Sequence, residues 1–142
     1  MVRNGRILGW WVAVLVCVCL WDEAIQAPTK MSSNSPWDRK FVRVVNKLDE
    51  GLSLTIHCKS KNDDLGVHVL GRDEYFEWTF YVNLWETTLF FCRFDWRDAS
   101  KTFDAYRAIR DIHRCNHCLW EAKPDAIYGS TESGHRPIVI GW

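Results

Sequence analysis

The sequence predicts an all-β protein, an antiparallel β-sandwich of about eight strands with two disulfides. Three observations support this fold class. Short segments of alternating apolar and polar residues recur roughly every ten residues, and turn-forming residues separate them. An even number of cysteines follows a predicted signal peptide.

Residues 1–27 have the pattern of a secretory signal peptide. Arg3 and Arg6 precede an apolar run at 7–21, which suits a signal-peptide core and is short for a membrane span of about 20 residues. An uncleaved signal anchor is the alternative. We therefore expect a secreted, extracellular product with no stable membrane insertion after cleavage. The Ser- and Pro-containing segment 28–40 predicts a flexible leader.

Eight segments of the remaining chain predict strands. They are 41–46, 53–59, 67–70, 75–82, 87–94, 102–110, 118–123 and 126–128. In the second, Leu54, Ile56 and Cys58 point to one side. Segment 102–110 also fits a helical period, and the strand prediction rests on its neighbours. The predicted domain spans 41–129, and a tail at 130–142 follows, where 138–140 form either an edge strand or a flexible end.

Four cysteines remain once the predicted signal peptide is removed: Cys58, Cys92, Cys115 and Cys118. In a short secreted chain this number predicts two disulfides. Two histidines lie beside the last two cysteines, so zinc ligation and a redox Cys-x-x-Cys pair are alternatives. An oxidising compartment favours disulfides, and we expect no metal site and no cofactor.

Charge and motif content narrow the functional classes. The chain has 18 basic and 18 acidic residues, so it lacks the positive footprint of a nucleic-acid-binding protein. No nucleophile motif such as Gly-x-Ser-x-Gly surrounds His57 or His68. We therefore predict that the protein is not an enzyme and has no catalytic residues.

Four motifs together resemble the plant self-incompatibility protein family, also called S-protein homologues. They are VVN at 44–46, LTIHCKSKNDDLGVHVL at 54–70, TLFFCRFDW at 88–96 and RCNHCLWEAKPDAIYG at 114–129. The resemblance implies a secreted sandwich with two disulfides that acts as a small extracellular ligand of flowering plants. In poppy, members are the stigma determinant of self-incompatibility and are recognised by a pollen membrane protein. The tail at 130–142 and the strongly charged segment 95–101 depart from the family pattern.

The positions of the cysteines also give an expectation for the disulfide pairing. Cys58 and Cys92 each face the core side of a predicted strand, and Cys115 and Cys118 are close in sequence. We expect each of the first two to pair with one of the last two. Cys58–Cys118 with Cys92–Cys115 is favoured, although spacing alone leaves the choice open.

The function predicted from the sequence is a monomeric recognition ligand that binds a cell-surface membrane protein receptor through loops on the rigid sandwich. A secreted carbohydrate-binding or defence module is the alternative. Charged loops and two tryptophans at loop edges supply the candidate partner-binding residues. They are Lys61, Asn62, Asp63, Asp64, Arg72, Asp73, Trp85, Trp96, Arg97 and Asp98.

Overall fold

The computed structural model describes residues 35–134 and 137–142. The predicted signal peptide, part of the leader and two residues of the tail lie outside them. Within the described residues, nine strands and one short helix follow in chain order. They are β1 (Lys40–Asn46), β2 (Leu54–Lys59), β3 (Asp64–Leu70), β4 (Tyr75–Phe80), β5 (Leu89–Trp96), β6 (Ala99–Arg107), α1 (Ala108–Asp111), β7 (His117–Ala122), β8 (Ala126–Thr131) and β9 (Ile138–Gly141).

The strands form two sheets that share one core. Sheet A has the strand order β4-β1-β7-β8-β9, and sheet B has the order β3-β2-β5-β6. Buried side chains from both sheets form a single apolar cluster, including Val44 and Trp120 from sheet A and Ile56 and Phe94 from sheet B. The predicted β-sandwich with two disulfides is confirmed. Across the residues that the structure describes, we find no helix with the length and apolar character needed to cross a membrane.

One neighbouring pair, β1 and β7, runs parallel rather than antiparallel. Parallel neighbours require a long connection, and here β2 to β6 and α1 all lie between the two strands. The buried side chain of Lys40 joins the starts of both strands. Its Nζ donates to the carbonyl of Ile112 at 3.2 Å and to Oδ1 of Asn116 at 2.5 Å. Burial lowers the pKa of the Lys40 ammonium, and these acceptors offset part of its lost hydration.

The strongly charged segment 95–101, which lies outside the strands predicted from the sequence, is mostly strand. β5 extends to Trp96 and β6 begins at Ala99, so only Arg97 and Asp98 form the turn between them. Charge alone does not exclude a strand, because these side chains lie near the edge of sheet B and reach solvent.

The predicted strand 102–110 is a strand only as far as Arg107, and the chain then forms the helical turn α1. A buried carboxylate, that of Asp111, holds this turn. It accepts a hydrogen bond from the backbone N–H of Arg107 at 2.9 Å and pairs with Arg110 at 2.7 Å and Arg114 at 3.0 Å. The helical period of this segment therefore corresponds to one short helical turn at its end. The contacts of the buried Asp111 carboxylate stabilise that turn.

The disulfide pairing expected from the sequence is wrong. The structure pairs Cys58 with Cys92 and Cys115 with Cys118. Cys58 and Cys92 lie directly opposite each other on the neighbouring strands β2 and β5, with their Cα atoms 4.1 Å apart. All four cysteines are buried, and for Cys58 and Cys92 this agrees with their predicted core-facing positions. The pairing itself depends on which strands are neighbours, and the spacing of the cysteines does not give that order.

The asparagine of the VVN motif, Asn46, is a buried clamp at the end of β1. Its Nδ2 donates to the carbonyls of Leu52 at 3.0 Å and Leu70 at 2.8 Å, and its Oδ1 accepts from the N–H of Leu48 at 2.9 Å. One amide therefore joins β1, the loop that follows it and the end of β3 in the other sheet. No apolar side chain can replace these three bonds.

Replacing Asn46 by alanine is expected to lower the free energy of unfolding by about 2 kcal/mol, because three buried backbone groups lose their partner. Urea denaturation followed by tryptophan fluorescence measures the change. The exposed Asn62 serves as the control, and Asn62→Ala should leave the midpoint almost unchanged. Equal effects of the two substitutions would contradict the clamp.

Candidate functional site

The ten candidate partner-binding residues lie at two opposite ends of the sandwich. β2 and β5 are antiparallel, with Thr55 opposite Asp95 and Lys59 opposite Phe91. The loop after β2 therefore lies beside the start of β5, and the turn after β5 lies at the other end. Lys61, Asn62, Asp63, Asp64 and Trp85 share the first end, and Arg72, Asp73, Trp96, Arg97 and Asp98 share the second.

We call the second end the charged end; it comprises residues 47–53, 71–74, 97–98 and 123–125. Four of its charged side chains form ion pairs with one another. Lys47 lies 2.6 Å from Asp73, and Arg72 lies 3.7 Å from Glu50. Hydrogen bonding to Lys47 lowers the pKa of Asp73, so the carboxylate is ionised at neutral pH.

The tryptophan of the charged end is not free to anchor a partner. Trp96 is half-buried, and its ring packs edge-on against Trp142 with 5.5 Å between centroids. The indole N–H of Trp142 donates to the carbonyl of Lys123 at 2.8 Å. These contacts join β9, β5 and the β7–β8 connection. The two rings therefore pack against the core at this end of the sandwich.

The first end, which we call the apolar end, comprises the loop 60–63, the connection 81–88 and α1. The backbone N–H of Ala108 donates to the carbonyl of Thr88 at 2.9 Å and places α1 beside the connection. Trp85 is 84% exposed, Ile109 83% and Leu84 76%. Large apolar side chains are normally scattered singly over a surface, so their concentration here is informative.

Local hydrogen bonds explain why the connection 81–88 presents its apolar residues. Oδ1 of Asn83 accepts from the N–H of Thr87 at 2.8 Å, and Nδ2 of Asn83 donates to the Thr87 hydroxyl at 2.8 Å. Glu86 takes a left-handed conformation, with φ of 52°, which closes the turn. The polar groups of the turn are thus used internally, and Leu84 and Trp85 remain at its tip.

A groove of about 470 Å³ lies beside this turn. The loop 60–63 forms one wall, and Tyr81, Asn83, Leu89 and Phe91 contribute to the other. Its lining therefore combines aromatic rings with amide and hydroxyl groups. The groove shares Asn83 and Thr87 with the turn that carries the exposed Trp85 at its tip. Tryptophan is enriched among the residues that dominate protein–protein binding.

Asp64, which directly follows the groove-lining loop 60–63, connects the start of β3 to β2. Its carboxylate accepts from the N–H of Gly66 at 2.9 Å and lies 2.7 Å from Nε2 of His57 and 3.0 Å from Nζ of Lys59. The Gly66 hydrogen bond, followed by those from His57 and Lys59, holds the pKa of Asp64 well below its usual range. Asp64 is therefore ionised at physiological pH, and Lys59 balances its charge.

The histidine- and cysteine-rich segment near β7 does not offer thiolates, since both of its sulfurs are in the Cys115–Cys118 bond. His117 stacks on Phe41 with 4.4 Å between ring centroids. Within residues 35–134 and 137–142, no group of three or more metal-ligating side chains comes together.

Sequence reasoning identified Trp85 and missed Tyr81 and Ile109 as parts of the same surface. The sequence predicts strands at 75–82 and 102–110, which include Tyr81 and Ile109, whereas β4 ends at Phe80 and β6 ends at Arg107. The Asn-Leu-Trp-Glu-Thr stretch at 83–87 was the available signal, because two large apolar residues stand inside a polar turn.

A two-sheet β-sandwich with two buried disulfides, and with exposed apolar side chains at one end, defines the class as a small disulfide-bonded β-sandwich protein. Comparison with known proteins gives the family. The model of the plant self-incompatibility protein S1 family matches residues 41–142, and the chain belongs to that family. The matched region includes β9, which pairs with β8 in sheet A.

Three relatives from Arabidopsis thaliana illustrate the similarity. S-protein homolog 5 is 49% identical over 107 residues, which cover 75% of this chain and 81% of the relative. S-protein homolog 6 is 42% identical over 109 residues, covering 75% and 80%. S-protein homolog 24 is 40% identical over 122 residues, covering 85% and 79%.

Proposed function

We propose that the protein is a secreted, non-enzymatic recognition ligand that binds a cell-surface membrane protein through its apolar end. The observation that carries the proposal is the exposure of Leu84 and Trp85 beside the groove. Truncating a tryptophan at the centre of an interface commonly costs 2 kcal/mol or more, whereas rim charges contribute little.

The contrast between the two ends supports this choice of surface. At the charged end, Lys47, Asp73 and Arg72 already have ion-pair partners within the chain, and the nearby Trp96 is packed against Trp142. At the apolar end, hydrogen bonds fix the backbone while the large side chains face solvent. A preorganised apolar surface loses little conformational freedom on binding, which favours affinity.

Trp85→Ala is expected to weaken binding to plant cell membranes by about tenfold or more, because the anchor side chain is lost. Saturation binding of labelled protein to intact cells, with and without prior protease treatment, measures the effect. Tyr75→Ala is the matched control, since Tyr75 is an exposed aromatic on the outer face of sheet A, away from the apolar end. Binding that survives Trp85→Ala, or that falls equally in the control, contradicts the proposed surface.

The lining of the groove favours carbohydrate binding as the second candidate. Aromatic rings and amide or hydroxyl groups are the groups that contact a sugar, and both occur there. Binding that resists protease treatment of the cells but is competed by a glycan identified on an array would select this function and reject a protein receptor.

A further inference from the structure

A turn that precedes β1 lies beside the apolar end, and we call residues 35–38 the N-terminal turn. Its backbone is fixed by internal hydrogen bonds. The N–H of Asp38 donates to the Ser35 carbonyl, and the N–H of Ser35 donates to the Asp38 carboxylate, each at 3.0 Å. The buried Lys40 ammonium donates to the same Ser35 carbonyl at 3.1 Å. Because this ammonium also binds the carbonyl of Ile112, the N-terminal turn is tied to the segment that follows α1.

The pairing of β1 with β4 brings the N-terminal turn next to the connection that follows β4. Lys40 lies opposite Phe80, so Arg39 lies beside Tyr81. The Arg39 Nε donates to the Tyr81 hydroxyl at 3.3 Å, and the guanidinium carbon lies 5.4 Å from the centre of the ring. Trp37 is 63% exposed and Tyr81 61%. We call Trp37, Arg39 and Tyr81 the N-terminal corner, and all three of its side chains are open to solvent.

The positive charge of the N-terminal corner has no counterpart within the part of the chain that the structure describes. Every arginine there forms an ion pair with a carboxylate of the chain except Arg39 and Arg97. The guanidinium of Arg97 lies at the charged end, 5.9 Å from the centre of the Trp96 ring. Arg39 is therefore a positive charge beside the apolar end that remains available to a partner.

We propose that the N-terminal corner is a second contact with the partner of the apolar end, and that it binds an acidic side chain of that partner. This inference rests on the proposed function and specifies the chemistry of the receptor surface: a carboxylate beside apolar groups that cover Trp37 and Tyr81. Tryptophan, tyrosine and arginine are the residue types enriched among those that dominate binding energy. The guanidinium group recognises a carboxylate through paired hydrogen bonds.

The geometry of the N-terminal corner distinguishes Arg39 from an ordinary rim charge. The Tyr81 hydroxyl uses only the Nε–H of Arg39, and the Nη groups have no partner among the described residues. The guanidinium is held in place before binding, so less side-chain entropy is lost on binding. A partner that covers Trp37 and Tyr81 also excludes water from around the guanidinium, and an ion pair is stronger there than in water.

The first test replaces Arg39 and measures saturation binding of labelled protein to intact plant cells. We expect Arg39→Gln to weaken binding about fivefold or more, because the carboxylate of the partner loses its counter-charge. Arg39→Glu should weaken binding further through repulsion of like charges, and Arg39→Lys should retain part of the affinity. Higher ionic strength should weaken the binding of the unmodified protein more than that of Arg39→Gln.

The matched control is Arg97→Gln, which removes an exposed arginine beside an aromatic ring at the other end of the sandwich. This variant should bind as the unmodified protein does. Equal losses of binding in Arg39→Gln and Arg97→Gln would indicate a general attraction of positive charge and would overturn the proposal.

The second test addresses the apolar part of the N-terminal corner. Trp37→Ala should weaken binding about tenfold or more, and Trp37→Phe should restore much of it, because aromatic contact area is lost and regained. The urea midpoint of both variants should match that of the unmodified protein. The hydrogen bonds that fix the N-terminal turn do not involve the indole ring, so its removal leaves the turn intact.

The outcomes separate this inference from the proposed function. If Trp85→Ala weakens binding while Trp37→Ala and Arg39→Gln do not, the N-terminal corner is rejected and the apolar end stands. Equal binding of Arg39→Gln and Arg39→Glu would reject an acidic counterpart. Binding of the same strength to protein-free vesicles of phosphatidylcholine and phosphatidylserine, dependent on Arg39, would assign the corner to a lipid surface and overturn the proposal. Cells that show no saturable, protease-sensitive binding would reject the proposed function and this inference together.

Discussion

Replacing Cys58 and Cys92 together by alanine is expected to lower the free energy of unfolding by about 4 kcal/mol, whereas the same change at Cys115 and Cys118 should cost about 2 kcal/mol. The difference arises from loop length in the unfolded chain. The first bond joins residues separated by 34 positions, and the second joins residues separated by 3. A longer closed loop removes more unfolded-state entropy.

The position of the first disulfide adds to this argument. The segment between Cys58 and Cys92 contains β3, which belongs to sheet B, and β4, which belongs to sheet A. The bond therefore closes a loop that crosses between the two layers of the sandwich. The Cys115–Cys118 bond closes only the turn between α1 and β7.

Urea denaturation of the two double variants measures both costs, provided that the slope of each transition is fitted separately. Non-reducing peptide mapping of the unmodified protein is the control for the pairing. Equal destabilisation by the two double variants would contradict the entropic argument. A peptide containing Cys58 linked to Cys115 or Cys118 would contradict the pairing itself.

The sequence predicted those features of the fold that depend on local periodicity. The alternation of Leu54, Ile56 and Cys58 placed all three side chains inward, and all three are buried. Trp78 and Trp120 occupy alternating core positions, and both are buried as well. A period of two residues encodes which face a side chain takes, and needs no knowledge of neighbouring strands.

Features that depend on strand order were not predictable in the same way. The partners of Cys58 and Cys92 follow from the adjacency of β2 and β5, and the parallel contact of β1 with β7 follows from a connection through most of the domain. The apolar end has the same origin, because Tyr81, Trp85 and Ile109 share one end of the sandwich only when the end of β4, the start of β5 and α1 lie there. Periodicity contains no information on these long-range choices.

Gly129→Ala is expected to destabilise the domain by about 3 kcal/mol, the upper part of the range for overpacking a core. Gly129 lies directly opposite Trp120 in the β7–β8 pair. A Cβ atom at Gly129 would stand 2.5 Å from Cζ3 of Trp120, 2.7 Å from Cη2 and 2.8 Å from Cε3. Carbon atoms in contact need about 3.5 Å, so the ring or the strand must move.

Trp120 cannot move without further loss. Its Nε1 donates to the carbonyl of Ala105 at 2.8 Å, and its ring packs against Phe103 with 4.8 Å between centroids. A shift of the ring would break the hydrogen bond and open space against sheet B, and a shift of β8 would disturb its pairing with both β7 and β9. The glycine is therefore required by the space that the indole occupies.

Thermal and urea denaturation of Gly129→Ala beside Gly141→Ala measures this requirement. A Cβ at Gly141, in β9 of the same sheet, meets no heavy atom within 4 Å, so that variant should match or slightly exceed the stability of the unmodified protein. In a Trp120→Leu background, Gly129→Ala should lower the free energy of unfolding much less, because the smaller leucine side chain leaves space for the added Cβ atom. If Gly129→Ala lowers the free energy of unfolding equally in both backgrounds, a clash with the indole does not explain the destabilisation. The packing of Trp120 over β8 is then refuted.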